Sequence, residues 1–444
     1  MGKSESLPRI AILGASGLIG EAVASSLLWQ GFPVIPMARH FTAAQKAIFG
    51  ASVVERPFVE LEAEALRQIF TAKQIGVVVN CIGVLQDGPR GGADAVHRVF
   101  VERLATALRS RSERVLLIHI SIPGGSESDR TAFSRTKREA ERALAAASIP
   151  FAILRPGFVV APAAYGGSAL MRGLAMLPLA LPAREAGQAF AATDVADIAR
   201  TIAIIGRRWS EGEREWHAVW DVMERRRTTV GEVVEGFRRR LGGPAPRLSL
   251  PSWLMDVAAA AGDLVAHLGW SPPIRSTALM EMRRGVIGNP EPWSAATGIE
   301  PASLDSALER LPASVQEKWF AGLYLAKPLV LGTLASFWII SGLVALMPAF
   351  AAATAILTAH GFGPFLARAI TVASSLLDIS IGLAIAFRKT CRIGLLAGIG
   401  VSLFYMTGAA VLMPELWIEP LGALVKTGPA VVLMLVALAV LEDR

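Results

Sequence analysis

Gly14, Gly17 and Gly20 stand three residues apart in the stretch GASGLIG. The apolar run RIAIL leads into them, and the amphipathic run GEAVASSLLWQ follows from Gly20. Strand, turn and helix start, in that order, make an anion site. The first glycine permits a tight turn, the second lets backbone approach a pyrophosphate, and the third lets the helix pack on the strand. Gly14, Ser16, Gly17, Leu18, Ile19 and Gly20 are therefore expected to hold the phosphates of a dinucleotide. The next apolar run, FPVIPM, is followed by Ala38, Arg39 and His40, with no acidic residue. A carboxylate there would hold the ribose 2′-hydroxyl of NAD, whereas a guanidinium offers a planar fork to a 2′-phosphate. Arg39 thus predicts NADP(H) ahead of NAD(H).

A second candidate lies far along the chain. Asp378 stands within the apolar stretch SSLLDISIG. A carboxylate in such a segment is costly and should face other helices or water. It could serve a proton path or a quinone headgroup, or it could be a polar contact that holds helices together. His40, His97, His119, His217, His267 and His360 are scattered, and no metal-ligand spacing is present, so no metal is expected. The two cysteines, Cys81 and Cys391, exclude a disulfide framework and fit a reducing compartment.

The elements that must position these residues follow from periodicity. RIAIL, FPVIPM, GVVVNCIGV, VLLIHIS and FAILRPGFVV are short, rich in β-branched residues and closed by Gly, Pro, Asn or Ser, as buried strands are. Helical patterns alternate with them, among them EAEALRQIF, HRVFVERLATALRSR and SRTKREAERALAAA. This alternation predicts an α/β domain, a Rossmann-type doubly wound parallel sheet with helices on both faces. Downstream, TTVGEVVEGFRRRLG predicts a helix starting near Thr229. LPSWLMDVAAAAGDLVAHLGW predicts another, whose Ala- and Leu-rich face reads foremost as core, with an apolar pocket or a bilayer contact as alternatives.

The chain has 444 residues, 53% of them hydrophobic, and a net charge of +7. So apolar a composition calls for a membrane part. The basic runs Arg225–Arg227 and Arg238–Arg240 are short and suit solvated helix faces or anionic lipid, so no nucleic-acid partner is expected. After Lys318 four apolar segments, near 325–347, 364–387, 393–413 and 421–441, approach or exceed the roughly 20 residues that cross a bilayer. They predict an all-α four-helix transmembrane bundle. Arg388, Lys389 and Arg392 cluster between the second and third segments, which places that loop, and with four spans both termini, in the cytoplasm. The opening MGKSES carries no secretory signal; it matches a myristoylation pattern, which adds little to a chain that spans the membrane. The expected division is a nucleotide-binding domain over 1–210, a small helical substrate-side subdomain and linker over 211–318, and the membrane domain over 319–444.

Residues 1 to about 313 resemble the atypical, extended branch of the short-chain dehydrogenase/reductase family, with the NmrA-like proteins and the nucleotide-binding accessory subunit of respiratory complex I nearest in look. The resemblance rests on GASGLIG, on VVVNCIG at Val77–Gly83, on HISIPGG at His119–Gly125, on ILRPGFVV at Ile153–Val160 and on ATDVADIA at Ala192–Ala199. It implies that Asn80, Cys81, Ile82 and Gly83 back the nicotinamide ribose and that the region from Pro156 borders the nicotinamide. It also implies that Asp194 and Asp197 are structural. The family's catalytic pair is Tyr-x-x-x-Lys on one helix face, the lysine holding the ribose and the tyrosine exchanging a proton with the substrate. In TAFSRTKREAE the lysine is Lys137, but four residues earlier stands Phe133, which has no proton to give. Ser134 points about 100° away on a helix, and Ser121 falls in the family's serine region.

Lys137 and Ser121 are thus the catalytic candidates, and three readings stay open. An oxidoreductase could reduce a membrane-proximal acceptor such as a quinone, which takes protons from water. Ser121 or another hydroxyl could replace the phenol. Or the domain could bind NADP(H) as a sensor or as an assembly factor for a membrane complex; a nucleotide-gated transporter is a more distant reading. The four apolar segments resemble a DoxX-like domain, which implies a link to quinone-coupled redox chemistry. The expected protein is a multi-pass integral membrane protein with its nucleotide-binding domain in the cytoplasm, binding a small, apolar substrate and the lipid bilayer. Its oligomeric state is not legible.

Overall fold

The computed structural model describes residues 7–86, 92–418, 422 and 424–441. The MGKSES opening and positions 421 and 423 of the fourth apolar segment lie outside the described residues. The chain forms two compact units, one of Met1–Gly262 with Pro273–Ala321, the other of Asp263–Pro272 with Gly322–Arg444.

The first unit opens with β1 (Ile10–Leu13), α1 (Leu18–Trp29), β2 (Val34–Ala38), α2 (Ala43–Phe49), β3 (Val54–Glu55), α3 (Ala63–Ala72) and β4 (Val77–Asn80). A π-type turn over Ala95–Val99 feeds α4 (Phe100–Arg109), followed by β5 (Leu116–Ile120), α5 (Ala132–Ala146), β6 (Phe151–Pro156) and β7 (Phe158–Val160). Then come α6 (Gly166–Ala175), β8 (Leu179–Ala180), α7 (Ala183–Ala186), β9 (Ala192–Asp194), α8 (Val195–Ser210) and β10 (His217–Val222). Last come α9 (Val230–Leu241), β11 (Leu248–Ser249), α10 (Ser252–His267), α11 (Ser276–Arg284), α12 (Glu291–Thr297) and α13 (Leu304–Glu309).

The main sheet is seven-stranded, in the order β10-β6-β5-β4-β1-β2-β3, and every pairing is parallel. The winding direction reverses between β1 and β4, and in such sheets the crevice beyond the strand ends at the reversal is the ligand site. Register brings the ends together there: Leu13 pairs with both Met37 and Asn80, and Asn80 with His119. Strand alternation builds two cores. Ile10, Ile12, Val77, Val79, Leu116 and Ile118 meet α1 and α8 on one face. Ala11, Leu13, Val78 and Leu117 meet Leu66, Phe70, Phe100 and Leu144 on the other. Each fully buried aliphatic side chain contributes about 1.5–3 kcal/mol, which is why these runs read as almost unbroken apolar sequence.

Two helix starts follow their local code. Thr229 and Glu232 form a reciprocal capping box at the start of α9, near where the sequence predicts a helix to begin. Asp194 caps α8 through Ala196 N at 2.8 Å, and Asp197 accepts from Ala302 N at 2.9 Å, so both aspartates have structural work. The α10 reading holds on one side only. Met255, Ala259 and Gly262 are buried, while Trp253 and Leu264 are 63% and 69% exposed.

The second unit contains α14 (Val315–Leu346), which begins in the first unit, then α15 (Phe350–Ala359), α16 (Pro364–Ala386), α17 (Cys391–Leu412) and α18 (Thr427–Ala439). Among the described residues, α14, α16 and α17 are long and apolar enough to cross a membrane, whereas α18 has 13 residues. Their outward faces carry Leu329, Ile340, Phe365, Ile393, Phe404 and Val411, all exposed and apolar, as lipid-facing helices require. Small residues set the packing. A Cβ on Gly382 would stand 2.7 Å from Ala335 O, and one on Gly394 2.8 Å from Ile385 N. Gly398 is equally tight, against Met434 Sδ at 2.7 Å, but Gly400, two residues on, faces open space.

Candidate functional site

Local geometry explains the glycine loop. Gly14 follows β1 at φ +79°, in the left-handed region, and a Cβ there would stand 3.1 Å from Ile82 N. Gly14 N donates to Met37 O at 2.8 Å, and Gly17 N to Gly14 O at 2.9 Å. Gly17 is the N-cap of α1 and brings no side chain, so the first-turn N–H groups of Leu18, Ile19 and Gly20 face the crevice without intrahelical partners. A Cβ on Gly20 would fall 2.2 Å from Gly14 O, inside the backbone. This cradle fits a pyrophosphate, whose oxygens need close backbone approach and N–H donors. Gly20→Ala should cost at least about 3 kcal/mol, since neither backbone segment can yield. The midpoint of thermal unfolding checks this, and an unchanged midpoint would refute it.

A neighbouring helix holds the loop's shape. Thr42 and Gln45 form a capping box on α2, and the buried Gln45 amide reaches Ser16 O at 3.3 Å and Glu21 Oε2 at 2.5 Å. Arg39, one residue beyond β2, is exposed. Its guanidinium has no ion pair among the described residues, unlike Lys46, which is 2.8 Å from Glu55.

The other wall comes from β4 and β5. Asn80 is fully buried; its Oδ1 accepts from Ile82 N at 3.1 Å and its Nδ2 lies 3.2 Å from His119 Nδ1. The Asn80–Gly83 turn is thus pinned by its own side chain. His119 Nε2 is buried without a partner among the described residues. Cys81 backs the same turn, and burial pushes its thiol up to about 12 against the pull of Lys137.

α5 begins at Thr131, whose Oγ1 accepts from Ser134 N at 3.1 Å and donates to Glu281. Ser134 is fully buried and tied to Thr131 at 2.9 Å, so both hydroxyls serve the helix start. Lys137 projects from the next turn. It is 4% exposed, and its Nζ donates to Ile120 O at 2.8 Å. A Cβ on Gly83 would stand 3.5 Å from that Nζ, so the ammonium borders the Asn80–Gly83 turn. Burial pulls Lys137 down to about 8, with Cys81 and Glu141 opposing.

Phe133 occupies the position one turn before Lys137, on the same helix face. It packs edge-on to His97, ring centroids 5.4 Å apart. His97 Nε2 accepts from Val84 N at 3.1 Å, which leaves Nδ1 to donate to Thr136 Oγ1 at 2.9 Å. Burial, and then the Lys137 charge, push this imidazole down to about 3, so it stays neutral in the working range. The sequence offered His97 only as one of six scattered histidines. Its place on a π-type turn, a recurrent feature of functional sites, appears only in three dimensions.

One turn past Lys137 stands Glu141, which sequence reading missed. It is 7% exposed and takes a two-pronged contact from Arg155, Nε at 2.8 Å and Nη2 at 2.5 Å, with Arg138 Nη1 at 3.1 Å. Arg138 also binds Asp129 at 3.0 Å and Pro123 O at 2.8 Å, and Arg284 of α11 meets Asp129 at 3.0 Å and Pro123 O at 3.2 Å. This charged clamp fixes the loop after β5. Ser121 on that loop is buried and faces Glu141 without a well-directed hydrogen bond. Pro156, the last residue of β6, is buried, and Gly157 N donates to Thr193 Oγ1 at 2.8 Å.

The arrangement brings Gly14–Gly20, Asn80–Gly83 and Lys137 to one crevice, with Phe133 in place of a phenol one turn before the lysine. Because Lys137 releases its proton near 8 rather than 10.5, the unfolded chain binds more protons between those values, and stability should rise with pH across that window. A ribose bound to the ammonium would be held less well above pH 8. Nucleotide titrations on either side of that value check this, and a flat profile would remove Lys137 from the binding surface.

Residues 335–435 match the DoxX-like family. No curated protein matches the chain. Among solved structures, the UDP-glucuronic acid 4-epimerase of Bacillus cereus, in complex with UDP-glucuronic acid and NAD, has a TM-score of 0.50 and 14% identity, covering 71% of this chain and 99% of its own. An epimerase of Methanothermobacter thermautotrophicus reaches 0.53 at 14% identity, over 73% of this chain and 95% of its own. A human epimerase family protein solved with NADPH reaches 0.50 at 17% identity, over 68% and 98%. At these identities the likeness is one of fold: the seven-stranded unit has a Rossmann-type fold like that of these structures, and the match to the DoxX-like family falls in the helical region that follows it.

Proposed function

We propose that this protein is a membrane-tethered oxidoreductase that binds NADPH in the crevice at Gly14–Gly20, Asn80–Gly83 and Lys137 and reduces a lipid-soluble acceptor such as a quinone. The observation that carries this reading is the survival of the nucleotide cradle and its lysine beside a phenylalanine, Phe133, at the phenol position. A nicotinamide bound there supplies a hydride. The chain's part is to hold and orient: first-turn N–H groups of α1 toward the pyrophosphate, Lys137 toward the ribose, Pro156 beside the nicotinamide. A ketone needs a positioned acid to accept hydride. A quinone does not, since the hydroquinone anion formed by hydride addition takes its proton from water. Residues 1–210 would hold the nucleotide, 211–318 the substrate side, and 319–444 the membrane domain. Four spans, with α18 in the fourth, would place the Arg388–Arg392 loop, both termini and the nucleotide crevice in the cytoplasm.

A second reading has its own observation. Phe133 lies against a neutral histidine, and the Thr131 and Ser134 hydroxyls are engaged at the helix start. A domain that senses NADP(H) without turnover would need nothing more. Reconstituted full-length protein separates the two. NADPH oxidation that depends on added quinone supports the oxidoreductase; nucleotide binding with no turnover for any quinone supports the sensor.

The exposed Arg39 supports the NADPH preference. Arg39→Ala should weaken NADPH binding about tenfold or more, the worth of one charge-assisted contact, and leave NADH within about twofold. Equal losses for the two nucleotides would refute that role.

A further inference from the structure

The interior of the helical bundle is polar along one seam. On α16, Thr371, Ser375 and Asp378 are buried at helical spacing; on α17, Gly398, Ser402 and Tyr405 repeat that spacing. Tyr405 OH donates to Asp378 Oδ1 at 3.2 Å, so the two stripes meet. α14 closes the third side. A Cβ on its Gly342 would stand 2.5 Å from Ser375 O, and one on Gly398 would stand 3.2 Å from Trp338 Nε1. Trp338 lies one turn before Gly342, which puts its indole N–H at the same seam.

Three atoms of this seam are buried without any partner among the described residues: Trp338 Nε1, Ser375 Oγ and Ser402 Oγ. Their residues are 3%, 1% and 1% exposed. In bilayer helices serines ordinarily bond to a backbone carbonyl one turn back, as Thr371 does to Ala367 O at 2.9 Å and Ser380 to Leu376 O at 2.7 Å. Ser375 and Ser402 forgo that bond, so each holds a free donor inside the bundle. An indole N–H can only donate, and needs an acceptor.

We propose that this seam is a reversible proton-binding site, in which Asp378 is linked by bridging water to Ser375, Ser402 and Trp338. A buried water is satisfied by two to four polar partners, and the seam offers that set. No cation neutralises Asp378 among the described residues. On α14, Lys327 donates to Leu441 O; on α15, His360 is bound to Glu415; Arg388 lies over Trp270; and α18 presents no charged side chain. Arg368 stands ten residues before Asp378, near the start of α16. Hydroxyls serve both charge states of the carboxyl group. They accept from the acid, and with the indole and phenol they donate to the anion. A carboxyl group solvated in both forms exchanges its proton, whereas one buried only among apolar side chains stays neutral.

Infrared spectra of the full-length protein in lipid nanodiscs, recorded as a function of pH, test this. The expected result is a protonated-carboxyl band that disappears as pH rises and is missing at every pH in Asp378→Asn. Ser375→Ala with Ser402→Ala should raise its midpoint by about one pH unit, the effect of losing a hydrogen bond to the charged form. Absence of any band assignable to Asp378 would mean a permanent carboxylate and would overturn the proposal. A band that persists at all pH values would mean a fixed structural contact and would overturn it equally. An unmoved midpoint in the serine variant would remove the water-bridged site.

Discussion

Replacing Phe133 with tyrosine is expected to give the protein carbonyl reductase activity about a hundredfold above its present level, at the low end of what a positioned acid contributes. The substitution adds one oxygen to a ring that already sits on the Lys137 face of α5. The ring is half-buried, so the added hydroxyl is not forced into a closed core. Its partner is in place: Lys137 is held by Ile120 O and borders the Asn80–Gly83 turn. That ammonium would lower the phenol's pKa toward the working range, as an adjacent cation does. The proposed quinone-dependent NADPH oxidation should stay within about twofold, because such a reaction would not use a protein acid. The check is the rate of NADPH consumption with a panel of small ketones and aldehydes beside a quinone. No gain with any carbonyl compound would mean that the crevice has lost more than its phenol, and the sensor reading would then stand ahead.

Glu141→Ala should cause a large loss of stability in the first unit. Glu141 neutralises two guanidiniums, Arg138 and Arg155, in a setting where Arg138 is 5% exposed. Removing one partner of a buried ion pair costs about 3–5 kcal/mol, mostly for the charge left behind. For a unit of this size the thermal midpoint should fall on the order of 10 °C. The clamp also fixes the loop after β5 through Pro123 O, so nucleotide affinity should fall along with stability. Glu141→Gln keeps the shape and removes the charge, and should lose most of the same stability.

The pH dependence has a definite sign. Burial acts to raise the Glu141 pKa, but the Arg155 and Arg138 guanidiniums outweigh it and hold the group below its ordinary 4.5. Its contribution is therefore present above pH 4.5 and is lost as pH falls through the lowered value. The wild type should lose stability in acid more steeply than Glu141→Gln. Parallel acid profiles would show that the clamp contributes little.

Local sequence carried much of this protein. The glycine spacing after an apolar run announced the β1–α1 turn, because only residues without a Cβ fit its backbone. Thr229 with Glu232 marked the start of α9, because a capping box needs only four consecutive positions. The long apolar helices were legible from composition, since lipid asks the same of every outward residue. The charged clamp was not legible. Glu141 and Arg155 lie 14 residues apart, and Asp129 and Arg284 lie 155 apart, with nothing in either neighbourhood to announce the partner. Arg138 and Glu141 read as ordinary members of a charged helix until β6 and α11 supplied their counterparts.

The same distinction runs through both candidate sites. The sequence by itself determined where a dinucleotide could be cradled, that the phenol position holds Phe133, and that Asp378 lies within an apolar segment, because those are statements about neighbours along the chain. Only the tertiary structure decided that a neutral His97 packs on Phe133, that Lys137 is buried against Ile120 O, and that Asp378 meets Tyr405 beside three donors without partners among the described residues. Burial and hydrogen bonding set the charge state of an ionisable group, and both are fixed by residues that the chain brings together from far apart.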